Sequence, residues 1–242
     1  MYQASEAVRE AARDYRWLLD RGYPGAAALK LVGDRLRLSR EERLVLFRGV
    51  AAAEPSRRRR ALLVSSVRGE PLLVDGHNQV FTVMHYLGGR PLFLGSDGLL
   101  RDAGASHGHI ADREAFGRAL SLLCAAIAAA RPGRVLAYFD EPITESARHA
   151  ASFAAELGGL GIETDASVER SADGPVKRAP PGSAAASGDS GIAESLAARF
   201  PGLAPPESPG IFDAARFALE LAFGGAEGRL PWFDLAALLD GE

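Results

Sequence analysis

The stretch that most constrains the fold is a short apolar run that ends in an aspartate. Residues 72–74, Leu-Leu-Val, stop abruptly at Asp75, and Gly-His-Asn then leads into a segment with helical spacing of apolar residues. An apolar run followed by a carboxylate and a helix is typical of a central parallel strand in an α/β sheet. Functional groups in such sheets gather at the carboxyl ends of the strands. We therefore expect Asp75 to lie at the functional edge of the sheet.

Strand-then-helix units of this kind recur along the chain. Residues 134–140 form a second apolar run ending in aspartate, residues 162–168 are predicted to form a strand, and residues 184–187 are a short run of small side chains. This alternation predicts a three-layer α/β/α sandwich with a mainly parallel central sheet. Residues 61–67 are a further β-rich run, which we expect to pair with 71–75 as a hairpin.

The first 56 residues predict a small helical module, and residues 57–242 predict the α/β domain with a C-terminal helical extension. Apolar residues at helical spacing indicate two short helices, and Ser39 with Glu42 has the form of a capping box that opens a third. The arginines of this module either face nucleic-acid phosphates or form the solvated face of a helical cap. They are Arg35, Arg37, Arg40, Arg43 and Arg48. A third alternative is that the module makes the protein a homo-oligomer.

The charge of the chain is distributed unevenly. Residues 1–70 contain 15 Lys and Arg against 9 Asp and Glu, whereas residues 71–242 contain 13 against 22. A basic first part suggests an anionic partner. The four arginines at 57–60 are predicted to lie on a linker, either against a phosphate backbone or solvated.

The sequence also excludes several classes of protein. It has no run of 18 apolar residues and no secretory leader, so we expect a cytoplasmic protein without a membrane partner. Its single cysteine, Cys124, excludes an intrachain disulfide. His107 and His109 have no third ligand nearby and do not predict a zinc site.

Three aspartates carry the candidate chemistry. Asp75, Asp140 and Asp189 each follow a predicted parallel strand, so their carboxylates meet if those strands are neighbours. Like charges at short range raise one another's pKa unless a cation intervenes, and Mg²⁺ or Mn²⁺ is suited to carboxylate ligands. Such a cation can activate water for phosphodiester hydrolysis. Each aspartate taken alone fits a helix N-cap or turn equally well.

The motifs around these aspartates resemble those of the PIN-like and NYN ribonuclease superfamily. DGHN at 75–78 is similar to its first motif, YFDEP at 138–142 to its intermediate strand-end aspartate, and SGDSG at 187–191 to its late Ser-x-Asp motif. The first fifty residues resemble the N-terminal part of a prokaryotic family catalogued only as domains of unknown function. The rest of the chain fits that family's PIN-like partner domain.

The resemblance implies an endoribonuclease that acts on RNA. Asp75, Asp140 and Asp189 would be the ligands of Mg²⁺ or Mn²⁺, Asn78 would orient the first carboxylate or the substrate, and Asp102 could be a fourth acid.

One departure from the superfamily pattern leaves a second function open. Nucleases of this superfamily usually carry a glutamate on the helix after the first strand, whereas residues 79–87 have none and contain His85 instead. Glu114 could replace it only if its helix reaches the site. The alternative is therefore a catalytically inactive PIN-like module that binds RNA or a protein.

Overall fold

The computed structural model describes residues 5–103, 112–224 and 232–240, so the His107 and His109 pair lies outside the described residues. The described helices are α1 (Glu6–Asp20), α2 (Gly25–Arg35), α3 (Arg40–Gly49), α4 (Ala53–Arg60), α5 (Gly76–Leu87), α6 (Arg113–Ala130), α7 (Ser146–Gly159), α8 (Asp173–Val176), α9 (Ser190–Arg199), α10 (Ala214–Phe223) and α11 (Leu235–Asp240). The described strands are β1 (Pro71–Asp75), β2 (Leu92–Leu94), β3 (Leu100–Asp102), β4 (Arg134–Asp140), β5 (Thr164–Glu169), β6 (Ala184–Ala186), β7 (Gly210–Ile211) and β8 (Trp232–Asp234).

Strand β1 lies in the middle of a parallel five-stranded sheet with the order β5-β4-β1-β6-β7. Leu72 and Val74 point into the larger core with α5 and α6, and Leu73 points to the opposite face, where it joins residues of α8 and α9. Because helices cover both faces, every position of the strand must be apolar until its end. The predicted mixed α/β fold with a mainly parallel sheet is confirmed.

The strand order reverses its direction next to β1, the strand that ends in Asp75. From β1 the chain continues to β4 and β5 on one side of the sheet, and then returns to the other side for β6 and β7. The direction of winding therefore reverses between β1 and β6, which pair in register with Val74 opposite Ala186. Ligands of open α/β sheets bind at such a reversal, outside the carboxyl ends of the strands.

The predicted hairpin of residues 61–67 with β1 is wrong. In that segment the structure has only an isolated bridge, from Leu63 to Ile211, in place of a strand. The reason is that β4 and β6 occupy both sides of β1, so β1 has no free edge to which a hairpin partner could add. A second, smaller sheet with the order β3-β2-β8 was not predicted, because its strands have only three residues each.

The predicted linker at residues 57–60 is also wrong, because these arginines form the second half of α4. Pro55 lies in the first turn of this helix, where a missing N–H costs no intrahelical hydrogen bond. Two of the arginines pair with Glu194 of α9, and a third pairs with Asp240 of α11. At least three of the four guanidinium groups therefore join elements of this chain.

The N-terminal helices do not stand apart from the rest of the fold. Val45 and Leu46 of α3 share a core with Phe93 of β2 and with Phe233 and Leu235 near the C-terminus. The C-terminal extension thus packs in part on the helical module. In the described part of the chain, no helix combines the length and apolar character needed to cross a membrane.

Replacement of Gly76 by alanine should destabilise the protein by about 1–3 kcal/mol, the usual cost of overpacking a core. A Cβ atom at Gly76 would lie 2.6 Å from the ring of the buried Phe139, so α5 or β4 would have to shift. Urea denaturation measures the change, with Gly117→Ala as the matched control. Gly117 is a helical glycine of α6 with no atom within 4 Å of such a Cβ, and there alanine should be neutral or stabilising. A Gly76→Ala protein as stable as the parent would contradict the packing described here.

Candidate functional site

Asp75 is a buried carboxyl group at the end of β1, with 4% of its surface exposed. The Ser187 hydroxyl donates to its Oδ2 at 2.8 Å. The pKa of Asp75 is raised to about 8, chiefly by burial; the Ser187 hydrogen bond lowers it, and the nearby charges of Asp140, Asp173 and Asp189 raise it. No described lysine or arginine forms an ion pair with Asp75. The group therefore carries a proton at neutral pH unless a cation approaches.

Asp140, at the end of the neighbouring strand β4, has a pKa that is shifted in the opposite direction. The Nδ1 of His77 lies 3.7 Å from its Oδ2, and the backbone N–H of Ala172 donates to its Oδ1 at 2.9 Å. These two neighbours hold the pKa of Asp140 below its ordinary value. Carboxyl groups whose pKa values are driven apart by their surroundings are characteristic of sites that handle protons or cations. Asp140 is thus ionised where Asp75 is neutral.

Asp189 caps the first turn of α9. Its Oδ1 accepts hydrogen bonds from the backbone N–H groups of Gly191 and Ile192, at 2.5 and 3.2 Å. Its own N–H donates at 3.0 Å to the Ser187 hydroxyl, the same hydroxyl that contacts Asp75. Ser187 therefore links the carboxyl ends of β1 and β6 across the reversal of the sheet.

The structure brings the three predicted strand ends together but does not preform a metal site. Strands β4, β1 and β6 are adjacent and parallel, so Asp140, Asp75 and Asp189 all lie at one edge. Among the described residues, however, no group of three or more His, Cys, Asp or Glu side chains could hold a metal ion as positioned. One oxygen of Asp140 and one of Asp189 are bound to backbone N–H groups instead.

Asn78 restrains the Asp189 loop. Its Oδ1 accepts from the backbone N–H of Gly188 at 2.8 Å, and its only other side-chain hydrogen bond among the described residues comes from Gln79. Asn78 therefore makes no described hydrogen bond with Asp75, although orienting that carboxylate was one of the two roles implied for it. Arg101 holds the same glycine from the other side, because its Nε donates to the Gly188 carbonyl at 2.7 Å. Gly188 is required at this point, since a Cβ there would lie 2.8 Å from the Leu100 carbonyl oxygen.

Sequence reasoning missed two charged residues that support this loop. Arg101 forms two parallel hydrogen bonds with Asp97, both at 2.8 Å, and both side chains are buried. Although burial alone would raise the pKa of Asp97, the Arg101 guanidinium holds it below its ordinary value. No sequence signal could have identified the pair as part of the site, because Arg101 and Gly188 lie 87 residues apart.

Asp102 does not belong to the carboxyl edge of the main sheet. It lies on β3 of the small sheet, where its Oδ1 is 3.1 Å from Nδ1 of His85 and its carbonyl oxygen accepts from Arg48 at 2.9 Å. It therefore joins the helical module to α5. The side chain of Glu114 is 84% exposed and pairs with Arg118, one turn along the same helix.

A cleft of about 760 Å³ opens between the helical module and this edge of the sheet. Asp189 lines it, whereas Asp75 and Asp140 do not. Four arginines and two aspartates contribute to its walls, so cationic groups predominate. The lining residues are Leu29, Arg40, Arg43, Leu44, Phe47, Arg48, Asn78, Phe81, His85, Arg101, Asp102, Gly188, Asp189 and Ser190.

The arginines of the helical module have different surroundings. Arg35 pairs with Glu10 and Asp14 and lies outside the cleft, as does Arg37. Arg43 lines the cleft but also pairs with Asp34. The set is therefore divided by position: Arg40, Arg43 and Arg48 line the cleft, whereas Arg35 and Arg37 do not.

Comparison with known proteins gives the family of the chain. Residues 7–61 match a family described as "Protein of unknown function (DUF434)", and residues 64–201 match one described as "Domain of unknown function (DUF5616)". The uncharacterized protein MJ0935 of Methanocaldococcus jannaschii is 24% identical over 173 residues, which cover 71% of this chain and 83% of that protein. No solved structure matches the chain significantly. Because the second match spans more than half of the chain, including β1 and the Asp189 loop, the protein belongs to the family described as Domain of unknown function (DUF5616).

Proposed function

We propose that this chain is a metal-dependent phosphodiesterase of the PIN-like type, an endoribonuclease that cleaves RNA with Mg²⁺ or Mn²⁺ held by Asp75, Asp140 and Asp189. The observation that carries the proposal is that Asp75 and Asp140 end β1 and β4, and Asp189 follows β6 by three residues, so all three lie at the carboxyl edge of adjacent parallel strands. The likeness of DGHN, YFDEP and SGDSG to the motifs of PIN-like ribonucleases supports it.

The chemistry of the donor set fits a hard divalent cation. Asp75 is a buried carboxyl whose pKa is raised to about 8 by its burial and then by three neighbouring carboxylates. A bound cation would favour the ionised form of Asp75 and so oppose both effects. Mg²⁺ and Mn²⁺ prefer carboxylate oxygens. Since the described side chains do not preform the site, the carboxylates would have to move closer together when the cation binds.

The residues of the chain would then have separate roles. A bound cation would activate water and stabilise the negative charge that develops on the phosphodiester. Asp75 would give up its proton to the solvent when it becomes a ligand, and the Ser187 hydroxyl would keep its Oδ2 in place. Asn78 and Arg101 would hold Gly188, and through it the position of Asp189.

Replacement of Asp140 by asparagine should reduce Mn²⁺-dependent cleavage of a labelled RNA by roughly a hundredfold or more, because the variant loses an ionised ligand. The matched control is Asp165→Asn, an exposed aspartate near the start of β5, far along the strand from the carboxyl edge. This control should cleave like the parent. If Asp140→Asn also cleaves like the parent, Asp140 is not a ligand and the proposal fails.

A second candidate is a PIN-like module that binds RNA or a protein without cutting. Two observations favour it: the absence of a preformed metal group among the described residues, and the absence of glutamate from 79–87. Titration with Mn²⁺ separates the candidates, because a cation that binds only the folded nuclease must raise its melting temperature. RNA binding in EDTA, with neither a thermal shift nor cleavage in Mn²⁺, would favour the binding module.

A further inference from the structure

We infer that α3 forms one wall of a groove for single-stranded RNA, in which Phe47 stacks on an unpaired base and Arg40 contacts a phosphate. The inference rests on the proposed function only for its substrate class. It assigns the recognition of the strand to the helical module, on the wall of the cleft opposite Asn78 and Asp189.

The first argument is the pattern of α3 itself. Arg40, Arg43, Leu44, Phe47 and Arg48 follow the spacing of one helical face, and all five line the cleft. The opposite face is apolar and buried, with Val45 and Leu46 in the core of the module. Phe47 is thus a large aromatic ring set among arginines on the cleft side of the helix.

The second argument is the exposure of Phe47, 60% of whose surface faces solvent. Aromatic side chains within a basic groove are the usual platform for unpaired bases, because every base has a face that can stack. In a duplex these faces are covered by neighbouring bases. Exposure of the ring thus favours a single strand over a duplex.

The third argument is charge. Arg40 is exposed at the cleft, and among the described residues no carboxylate forms an ion pair with it. A guanidinium group in this position can form two parallel hydrogen bonds with a phosphate. The two acidic residues of the cleft are Asp102, which pairs with Arg48, and Asp189, which follows the Gly188 held by Asn78, so Arg40 is on the side of the cleft suited to the backbone.

The test is fluorescence anisotropy with a labelled 12-nucleotide oligouridine in EDTA at low salt, so that no cleavage occurs. Phe47→Ala should weaken binding by roughly 5- to 150-fold, the range for loss of one stacked base, and Phe47→Tyr should bind like the parent. The control Leu31→Ala removes an equally exposed apolar side chain, 61% exposed on α2 and outside the cleft, and should have no effect. Circular dichroism checks that each variant is folded.

Arg40→Gln provides an independent variant, since an exposed side chain can be changed without disturbing the core. Its plot of log affinity against log salt concentration should be shallower by about 0.7, the contribution of one phosphate contact on a single strand. A duplex of the same length should bind more weakly and should not respond to Phe47→Ala.

The inference is overturned if the parent does not bind the oligonucleotide, if Phe47→Ala binds as well as the parent, or if an acidic peptide competes as effectively as RNA. These outcomes are distinct from failure of the nuclease proposal. Binding that depends on Phe47 without any cleavage in Mn²⁺ would support the groove and reject the enzyme. Cleavage by a Phe47→Ala variant with unchanged RNA affinity would support the enzyme and reject the groove.

Discussion

The Asp75→Asn variant is expected to be more stable than the parent protein without divalent cations, and to have lost Mn²⁺-dependent RNA cleavage. Both effects have one cause. Asp75 is buried, accepts one hydrogen bond from Ser187 and has a pKa raised to about 8, first by burial and then by neighbouring carboxylates. Asparagine keeps the shape and can still accept from Ser187, but it never needs to be desolvated as a charge and it cannot supply a carboxylate to a cation.

The gain in stability should depend on pH in a defined direction. The folded protein keeps a proton on Asp75 up to about pH 8, whereas an ordinary aspartate, as in the unfolded chain, releases it near pH 3.8. The stability contributed by the protonated group is therefore complete below pH 3.8 and is lost as the pH rises towards 8. Each pH unit in this window lowers the free energy of unfolding of the parent by about 1.4 kcal/mol per proton. The stability of Asp75→Asn relative to the parent should therefore grow from near zero to a few kcal/mol.

Urea denaturation at pH 4 and pH 8 in EDTA measures this advantage, with Asp165→Asn as a control that should show no such growth. Addition of Mn²⁺ should raise the melting temperature of the parent and leave that of Asp75→Asn unchanged, because only the parent has a carboxylate at position 75 that can bind the cation. Full RNA cleavage by Asp75→Asn would reject the metal site. A stability difference that did not vary with pH would reject the buried, protonated state of Asp75.

Replacement of Asp97 by alanine is expected to produce the largest loss of stability, about 3–5 kcal/mol. Asp97 is the bidentate partner of the buried Arg101, and its removal leaves a guanidinium group without its counter-ion in the interior. In a chain of this size the melting temperature should fall by roughly 6–20 °C. Differential scanning calorimetry gives the value directly.

The double variant Asp97→Ala with Arg101→Met separates stability from function. Loss of both charges removes the unpaired cation, so much of the stability should return. The hydrogen bond from Arg101 to the Gly188 carbonyl is lost as well, so Gly188 keeps only one of the two side-chain hydrogen bonds that hold it among the described residues. We therefore expect a stable double variant with weakened Mn²⁺ binding. A double variant as unstable as Asp97→Ala would show that the ion pair is not the source of the cost.

Part of the fold followed from local patterns. The apolar runs at β1 and β4 predicted buried strands that end in aspartate, and the capping box of Ser39 and Glu42 predicted the start of α3. These predictions succeeded because burial and capping are set by residues a few positions apart. The hairpin at 61–67 failed because pairing is decided by which strands compete for the two edges of β1. The linker at 57–60 failed because its arginines are stabilised by Glu194 and Asp240, far away in the chain.

What the sequence by itself determined is the set of strand-end carboxylates, since an apolar strand that meets a polar turn must end near the surface of the sheet. Only the tertiary structure decided that β4, β1 and β6 are neighbours, that Asp75 is neutral while Asp140 is ionised, and that a cleft separates α3 from Asp189. These properties depend on long-range packing and on the dielectric surroundings that packing creates. A carboxyl group has the same chemistry in every sequence, and its pKa and its partners come from the fold.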